Sequence, residues 1–211
     1  IGTAVQTAAG GDLTTLAFGA SESRTKGNLL ICYLSVTKSP TLPATPTDWY
    51  IAKSVAGATG SATAIYYKSA AGSDAAPTFT HPDGTALLAG QLAEYSGVLS
   101  TADDQTGSNT STSSPVTATN AGASAATSQL MTIASSDTRS VNRATNDTLT
   151  SNHITSVTQA GNNNGVSNQT HYSFGYGTTN SITGADTAVM TASITTSITR
   201  FAIVDAVWKL G

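Results

Sequence analysis

His81, His153 and His171 are the side chains of this sequence best suited to moving a proton near neutral pH. A hydrolase built on one of them would need a nucleophile and an orienting carboxylate beside it, or else a pair of converging carboxylates. Serines are too frequent for one near a histidine to be informative, and no Gly-x-Ser-x-Gly elbow occurs. Each histidine stands at the end of a strand-like stretch or in a loop, which predicts a surface or turn-capping role. Asp103-Asp104-Gln105 offers oxygens of the kind calcium takes, but adjacent Asp side chains point apart and no Asp-x-Asp-x-Asp-Gly spacing accompanies them. Glu94 interrupts an apolar stretch, where a carboxylate must be hydrogen-bonded, paired or solvated. Cys32 is the single cysteine and lies inside an apolar run, so it reads as a small core residue rather than a nucleophile or ligand. No catalytic, cofactor-binding or metal-binding set emerges, and a non-enzymatic protein is expected.

Aromatic side chains offer a different chemistry, because their faces stack on sugar rings while Asn, Asp and Gln hold the hydroxyls. Trp49, Tyr50, Tyr66, Tyr67, His171, Tyr172 and Tyr176 are the candidates. Tyr66 and Tyr67 are neighbours on a strand, so one is expected in the core and the other outside. Tyr172, Phe174 and Tyr176 alternate onto one face, either a core or interface face or a glycan platform. Tyr50, Tyr67, Tyr172 and Tyr176 are therefore the expected glycan or protein-interface residues. A separate possibility lies at the start of the chain, where Thr3, Val5 and Thr7 would alternate along a strand donated to a second copy.

The elements that must hold these residues are strands. Ser and Thr make up about three residues in ten, far above ordinary usage, beside 19 Gly and 2 Met. Thr favours strands, Ser favours turns, and neither favours helix interiors. The run Asn28 to Thr37, bounded by Lys26-Gly27 and Lys38-Ser39-Pro40, has no polar residue between Leu29 and Leu34 and predicts a central strand buried on both faces. Residues 3–8 and 13–18 flank Gly10-Gly11 and read as a hairpin. Pro40, Pro43 and Pro46 make a stiff loop leading to a strand over 48–52. Further strands are expected at 62–68, 77–81, 86–95, 129–134, 154–158, 171–176, 188–194 and 200–210. Gly161 to Gly165 reads as a hairpin tip, and the last two strands as a closing pair.

The 211 residues suit one all-β domain covering the whole chain. Residues 100–128 carry hardly a bulky side chain and read as a long Ser/Thr-rich loop. The expected fold is a single antiparallel β-sandwich of jelly-roll or Greek-key type with about ten strands, the C-terminal strand pairing back beside early ones.

Charged residues are only 10% and the net charge is −3, with the nine Lys and Arg scattered singly, so nucleic acid is not an expected partner. No run approaches the roughly 20 apolar residues of a membrane span. The chain opens on Ile1 with no signal-peptide pattern, which reads as a processed or trimmed start.

The ordered set Gly27-Asn28-Leu29-Leu30, Pro46 to Trp49, Tyr66-Tyr67-Lys68, Phe79-Thr80 and Glu94-Tyr95-Ser96-Gly97-Val98, closed by Ala206-Val207-Trp208, resembles a loosely defined group of β-sandwich domains. That group occurs in bacteriophage structural proteins and some bacterial secreted proteins. The likeness spans the chain and is thin in the middle, and it departs at Asp48, where glycine is usual before the tryptophan. It implies a sandwich fold and a virion-surface or extracellular setting, and it carries no catalytic residues. The expected function is a decoration, fibre or tail-associated protein whose partners are copies of itself and other virion or surface proteins. The alternatives are a filament or surface-layer subunit joined by its N-terminal strand, and a carbohydrate-binding module that takes a cell-surface glycan.

Overall fold

A computed structural model describes residues 5–8, 15–18, 24–56, 60–84, 86–111, 115–120, 129–139, 148–152, 158–162, 170–179, 186–191 and 198–210. The first half of the chain supplies β1 (Val5–Ala8), β2 (Thr15–Ala17), β3 (Leu29–Thr37), β4 (Tyr50–Ala56), β5 (Ser61–Ser69), β6 (Thr78–Thr80) and β7 (Leu87–Tyr95). The second half supplies β8 (Val98–Ser111), β9 (Val116–Asn120), β10 (Gln129–Arg139), β11 (Thr148–Ser151), β12 (Thr158–Asn162), β13 (Thr170–Thr179), β14 (Asp186–Thr191) and β15 (Ile198–Leu210). The fold is an all-β sandwich. Two five-stranded antiparallel sheets, ordered β1-β7-β3-β5-β4 and β12-β13-β10-β15-β8, form the sandwich, and the described residues hold fifteen strands where about ten were expected. Two smaller sheets, β2-β6 and β11-β14-β9, add outer layers.

The apolar run around Cys32 becomes β3, the middle strand of the first sheet, and all nine of its residues are buried. Leu30, Cys32, Leu34 and Val36 face Leu16, Phe18, Trp49 and Phe79 on one side. Leu29, Ile31 and Tyr33 face Leu130, Phe174, Val204 and Trp208 of the second sheet on the other. Each buried Leu or Ile contributes about 1.5–3 kcal/mol relative to exposure, so a strand covered on both faces favours an unbroken apolar sequence. Gly90 permits the closeness of the upper layer: a Cβ there would sit 2.7 Å from the Tyr33 carbonyl oxygen and 2.9 Å from Leu16 Cδ2. Gly97, at φ +68°, completes the Ser96-Gly97 turn that carries the chain from the first sheet into the second. On the far side, β9 touches β8 and β15 and β11 touches β13. That third sheet explains why Ile133 and Ile203 are buried although they alternate away from the inter-sheet core.

Several pairings differ from expectation. Residues 5–8 and 15–17 do not form a hairpin with each other: β1 pairs with β7, and β2 pairs with β6. The reason is size, because Leu16 and Phe18 are needed as a cover over the first sheet rather than within its plane. β14 and β15 are not a closing pair. β14 lies between β9 and β11, and β15 lies between β10 and β8, so the C-terminal strand packs face-on against the early strands instead of pairing beside them. Gly161 and Asn162 belong to β12, and 163–165 lie outside the described residues. The expected loop at 100–128 is a strand over most of its first half, since β8 runs to Ser111 and β9 covers 116–120. A ladder to the apolar β15 supplies β8 with partners, and its threonines suit an extended backbone. Residues 112–114 and 121–128 lie outside the described residues.

Polar groups between the large sheets are mostly paired. Ser35 Oγ donates to the Ser135 carbonyl at 3.0 Å, and Trp208 Nε1 donates to Thr132 Oγ1 at 2.9 Å. Tyr33 stacks on Phe174 with ring centroids 5.3 Å apart, and its hydroxyl shares a 2.7 Å hydrogen bond with that of Tyr95. Burial raises the phenol pKa of Tyr33, Tyr66 and Tyr95 well above the ordinary value. Unfolded tyrosine ionises near pH 10 while these three stay neutral in the fold, so stability falls as pH rises beyond about 10. In an absorbance titration, these tyrosines are expected to ionise only together with unfolding. Their reversible ionisation in a chain that keeps its strand signal would contradict the packing.

Candidate functional site

The edge strand β4 opens with Tyr50-Ile51, directly after Trp49, and successive side chains there receive different environments. The turn before it is closed by Trp49 N donating to the Pro46 carbonyl at 3.2 Å, and Asp48 takes φ +64°, in the left-handed region. This turn sinks the Trp49 side chain into the first core cluster. Tyr50 points to the opposite side and is 62% exposed, with its ring 5.6 Å from that of Tyr67. Tyr67 in turn meets Trp208 edge-on at 5.0 Å. Ile51 is 42% exposed, and Leu99 near the start of β8 is 46% exposed; these three are the exposed large apolar side chains among the described residues. The β4–β5 register shifts between Ile51 and Lys53, a bulge that bends the edge. A bulged edge bearing a lysine resists strand-on-strand addition, so contact at this corner must be made by side chains.

Beneath the same turn lies a cleft of about 460 Å³ between residues 46–49 and the loop 71–78, with Lys68 of β5 between them. Lys68 Nζ binds Asp74 Oδ1 at 2.6 Å and lies 6.0 Å from the Trp49 ring centroid. Asp74 Oδ2 accepts from the backbone N–H of Ala71 at 2.7 Å and of Gly72 at 3.2 Å. Burial works to raise the Asp74 carboxyl pKa, but the Lys68 hydrogen bond, the two backbone donors and the Lys68 charge outweigh it and hold it below the ordinary value. A depressed folded pKa stabilises above the unfolded value near 4 and is lost as pH falls through the folded one. The melting-temperature difference between wild type and Asp74→Asn is thus expected to be constant above about pH 5 and to shrink as the pH is lowered below that. A difference that stays constant to pH 2 would contradict the clamp.

The structure divides the four expected interface tyrosines. Tyr50 and Tyr67 stand together at the β4 corner, with Tyr67 half-buried between Tyr50 and Trp208 rather than pointing freely outward. Both faces of the first sheet are covered, so Tyr66 and Tyr67 each pack against a core. Tyr176 is not part of an open platform: it packs edge-on against Tyr95 at 5.4 Å, on the inter-sheet side shared with Phe174. Tyr172 lies on β13, where its backbone pairs with Ser136 of β10. Val5 and Thr7 lie on β1, paired with Ala93 and Gln91 of β7 in the same chain, at the outer edge of the first sheet. Thr3 lies outside the described residues.

His81 is a turn cap and is buried: Nδ1 accepts from Asp83 N at 2.9 Å, so Nε2 carries the proton donated to the Thr41 carbonyl at 2.7 Å. His153 lies outside the described residues, and His171 is on β13. Asp103 and Asp104 fall within β8, at the place where its ladder to β15 shifts register between Ala102 and Thr106. Cys32 is fully buried, and burial pushes its thiol pKa up, which makes it a poor nucleophile. Glu94 is buried and accepts from Thr25 N at 2.9 Å and Asn28 Nδ2 at 2.6 Å, with Arg24 Nη1 at 3.9 Å from its second oxygen. Arg24, Lys68 and Asp74 had no local sequence signal, because each meets its partner only through the sheet.

No helix among the described residues is long and apolar enough to cross a membrane, and none of their His, Cys, Asp and Glu side chains gather in threes to hold a metal. No protein-family model matches the sequence, and no match is found among curated proteins or solved structures.

Proposed function

We propose that this chain is a non-enzymatic structural or attachment protein of a bacteriophage virion surface, a decoration, fibre or tail-associated component. It works by contact with copies of itself and with neighbouring surface proteins. The observation that carries this reading is the β4 corner, where Tyr50 and Ile51 stand exposed on an edge that is bulged against strand addition. Exposed aromatic anchors of this kind dominate the energetics of protein interfaces. The virion setting is supported by the ordered resemblance across the chain. At its one departure, Asp48, the backbone is left-handed, a conformation that the glycine of the resembled pattern adopts without strain. Sedimentation of the purified chain over rising concentration tests the contact. Tyr50→Lys is expected to abolish self-association without lowering the melting temperature, and self-association unchanged by it would overturn the assignment of this corner.

A second reading, a filament or surface-layer subunit, is favoured by one observation: β1 is the outermost strand of the first sheet and is held there by β7 alone. A copy donated from a neighbour would take the same register. Deleting residues 1–9 would then remove polymers and leave the sandwich folded, whereas polymers that survive the deletion exclude donation.

A further inference from the structure

We infer that the cleft under the Pro46–Trp49 turn is a binding site for a neutral saccharide, gripped by the Asp48 carboxylate. This inference goes beyond the assembly proposal, since it stands on the cleft and not on the Tyr50 contact. The volume of about 460 Å³ falls within the range of small-ligand pockets.

The charges in the cleft select the ligand class. Asp48 and Asp74 set against Lys68 leave a net charge of −1, and the Lys68 ammonium is already spent on Asp74 at 2.6 Å. Phosphates, sulfates and carboxylates therefore find no free cation among the lining residues and meet a repelling field. A metal ion is equally disfavoured, because both Asp74 oxygens are occupied, by Lys68 and by the Ala71 and Gly72 N–H groups. That leaves Asp48, exposed at the rim, as the strong acceptor on offer.

The walls fit a ligand with both hydroxyls and C–H faces. Thr47, Ser73 and Thr78 bring hydroxyl groups, while half-buried Pro46 and the largely buried Pro77 and Trp49 bring rigid apolar surface to the floor. A pyranose presents this combination, its hydroxyls suiting a carboxylate acceptor and its C–H faces suiting proline and indole surfaces. The site is also set before any ligand arrives. Asp74 ties the 71–78 loop to β5 through Lys68, and Ala70 N donates to the Asn28 carbonyl at 2.8 Å while Gly27 N donates to the Ala70 carbonyl at 2.9 Å. A preformed wall spares the ligand the cost of ordering it.

The left-handed backbone at Asp48 provides a clean test, because glycine there removes the carboxylate while suiting φ +64°. The full-length chain is screened against an array of neutral and anionic oligosaccharides, and the hits are titrated by calorimetry. Wild type is expected to bind neutral members. Asp48→Gly is expected to weaken that binding about tenfold or more, the value of a hydrogen bond to a charged group, with an unchanged or higher melting temperature. Tyr50→Lys is expected to leave the binding intact. An array with no neutral hit, hits confined to anionic glycans, or affinity indifferent to Asp48→Gly would each overturn the inference.

Discussion

Replacing Glu94 with alanine is expected to destabilise the protein by about 3–5 kcal/mol, because it strands a buried arginine. Arg24 and Glu94 are both buried, and the Arg24 terminal nitrogens have no hydrogen-bond partner among the described residues beyond the loose 3.9 Å approach to Glu94. Glu94 also holds the start of β3 in place through Thr25 N and Asn28 Nδ2. Removing the carboxylate leaves one buried cation and two donors unsatisfied, and each carries a desolvation cost. The double replacement Arg24→Leu with Glu94→Leu is expected to recover much of the loss, since it removes both charges together. Urea denaturation of the two variants reads this directly. A single Glu94→Ala variant as stable as wild type would show that the pair is not buried as described.

Trp208→Ala is the second large effect, expected at about 3–5 kcal/mol for an emptied aromatic site in a core. Trp208 is fully buried in the inter-sheet cluster, meets Tyr67 at 5.0 Å and donates to Thr132 Oγ1. Thr132 Oγ1 also reaches the Ala206 carbonyl at 3.2 Å, so the indole anchors the β10–β15 ladder as well as the contact between sheets. Because each large sheet comes from its own half of the chain, this contact is what makes the halves unfold as one. Circular dichroism and tyrosine fluorescence should therefore report a single transition in wild type, and Trp208→Ala should shift it without splitting it. Two separate transitions in wild type would mean that the sheets are independent.

The fold class was legible because β3 states it. An apolar run with no helical spacing between breakers admits few readings, and the structure buries all of it. β8 was not legible, because its Ser, Thr, Asp, Asn and Gly residues carry no apolar alternation and its extended form depends on β15. The sheet order was equally hidden: β1 and β2 are adjacent in sequence, yet one extends the first sheet and the other covers it. Part of the candidate site could be read locally, at Trp49 and Tyr50. The cleft could not, since Asp74 looks like an ordinary turn residue until Lys68 is brought to it across the end of β5.

The most direct test of the central proposal is the native mass and shape of the purified chain, measured by light scattering with negative-stain microscopy. A protein that works as a virion component through its β4 corner is expected to form closed small oligomers at micromolar concentration, and these should fall apart in Tyr50→Lys. A wild-type chain that remains a monomer throughout would contradict the proposal.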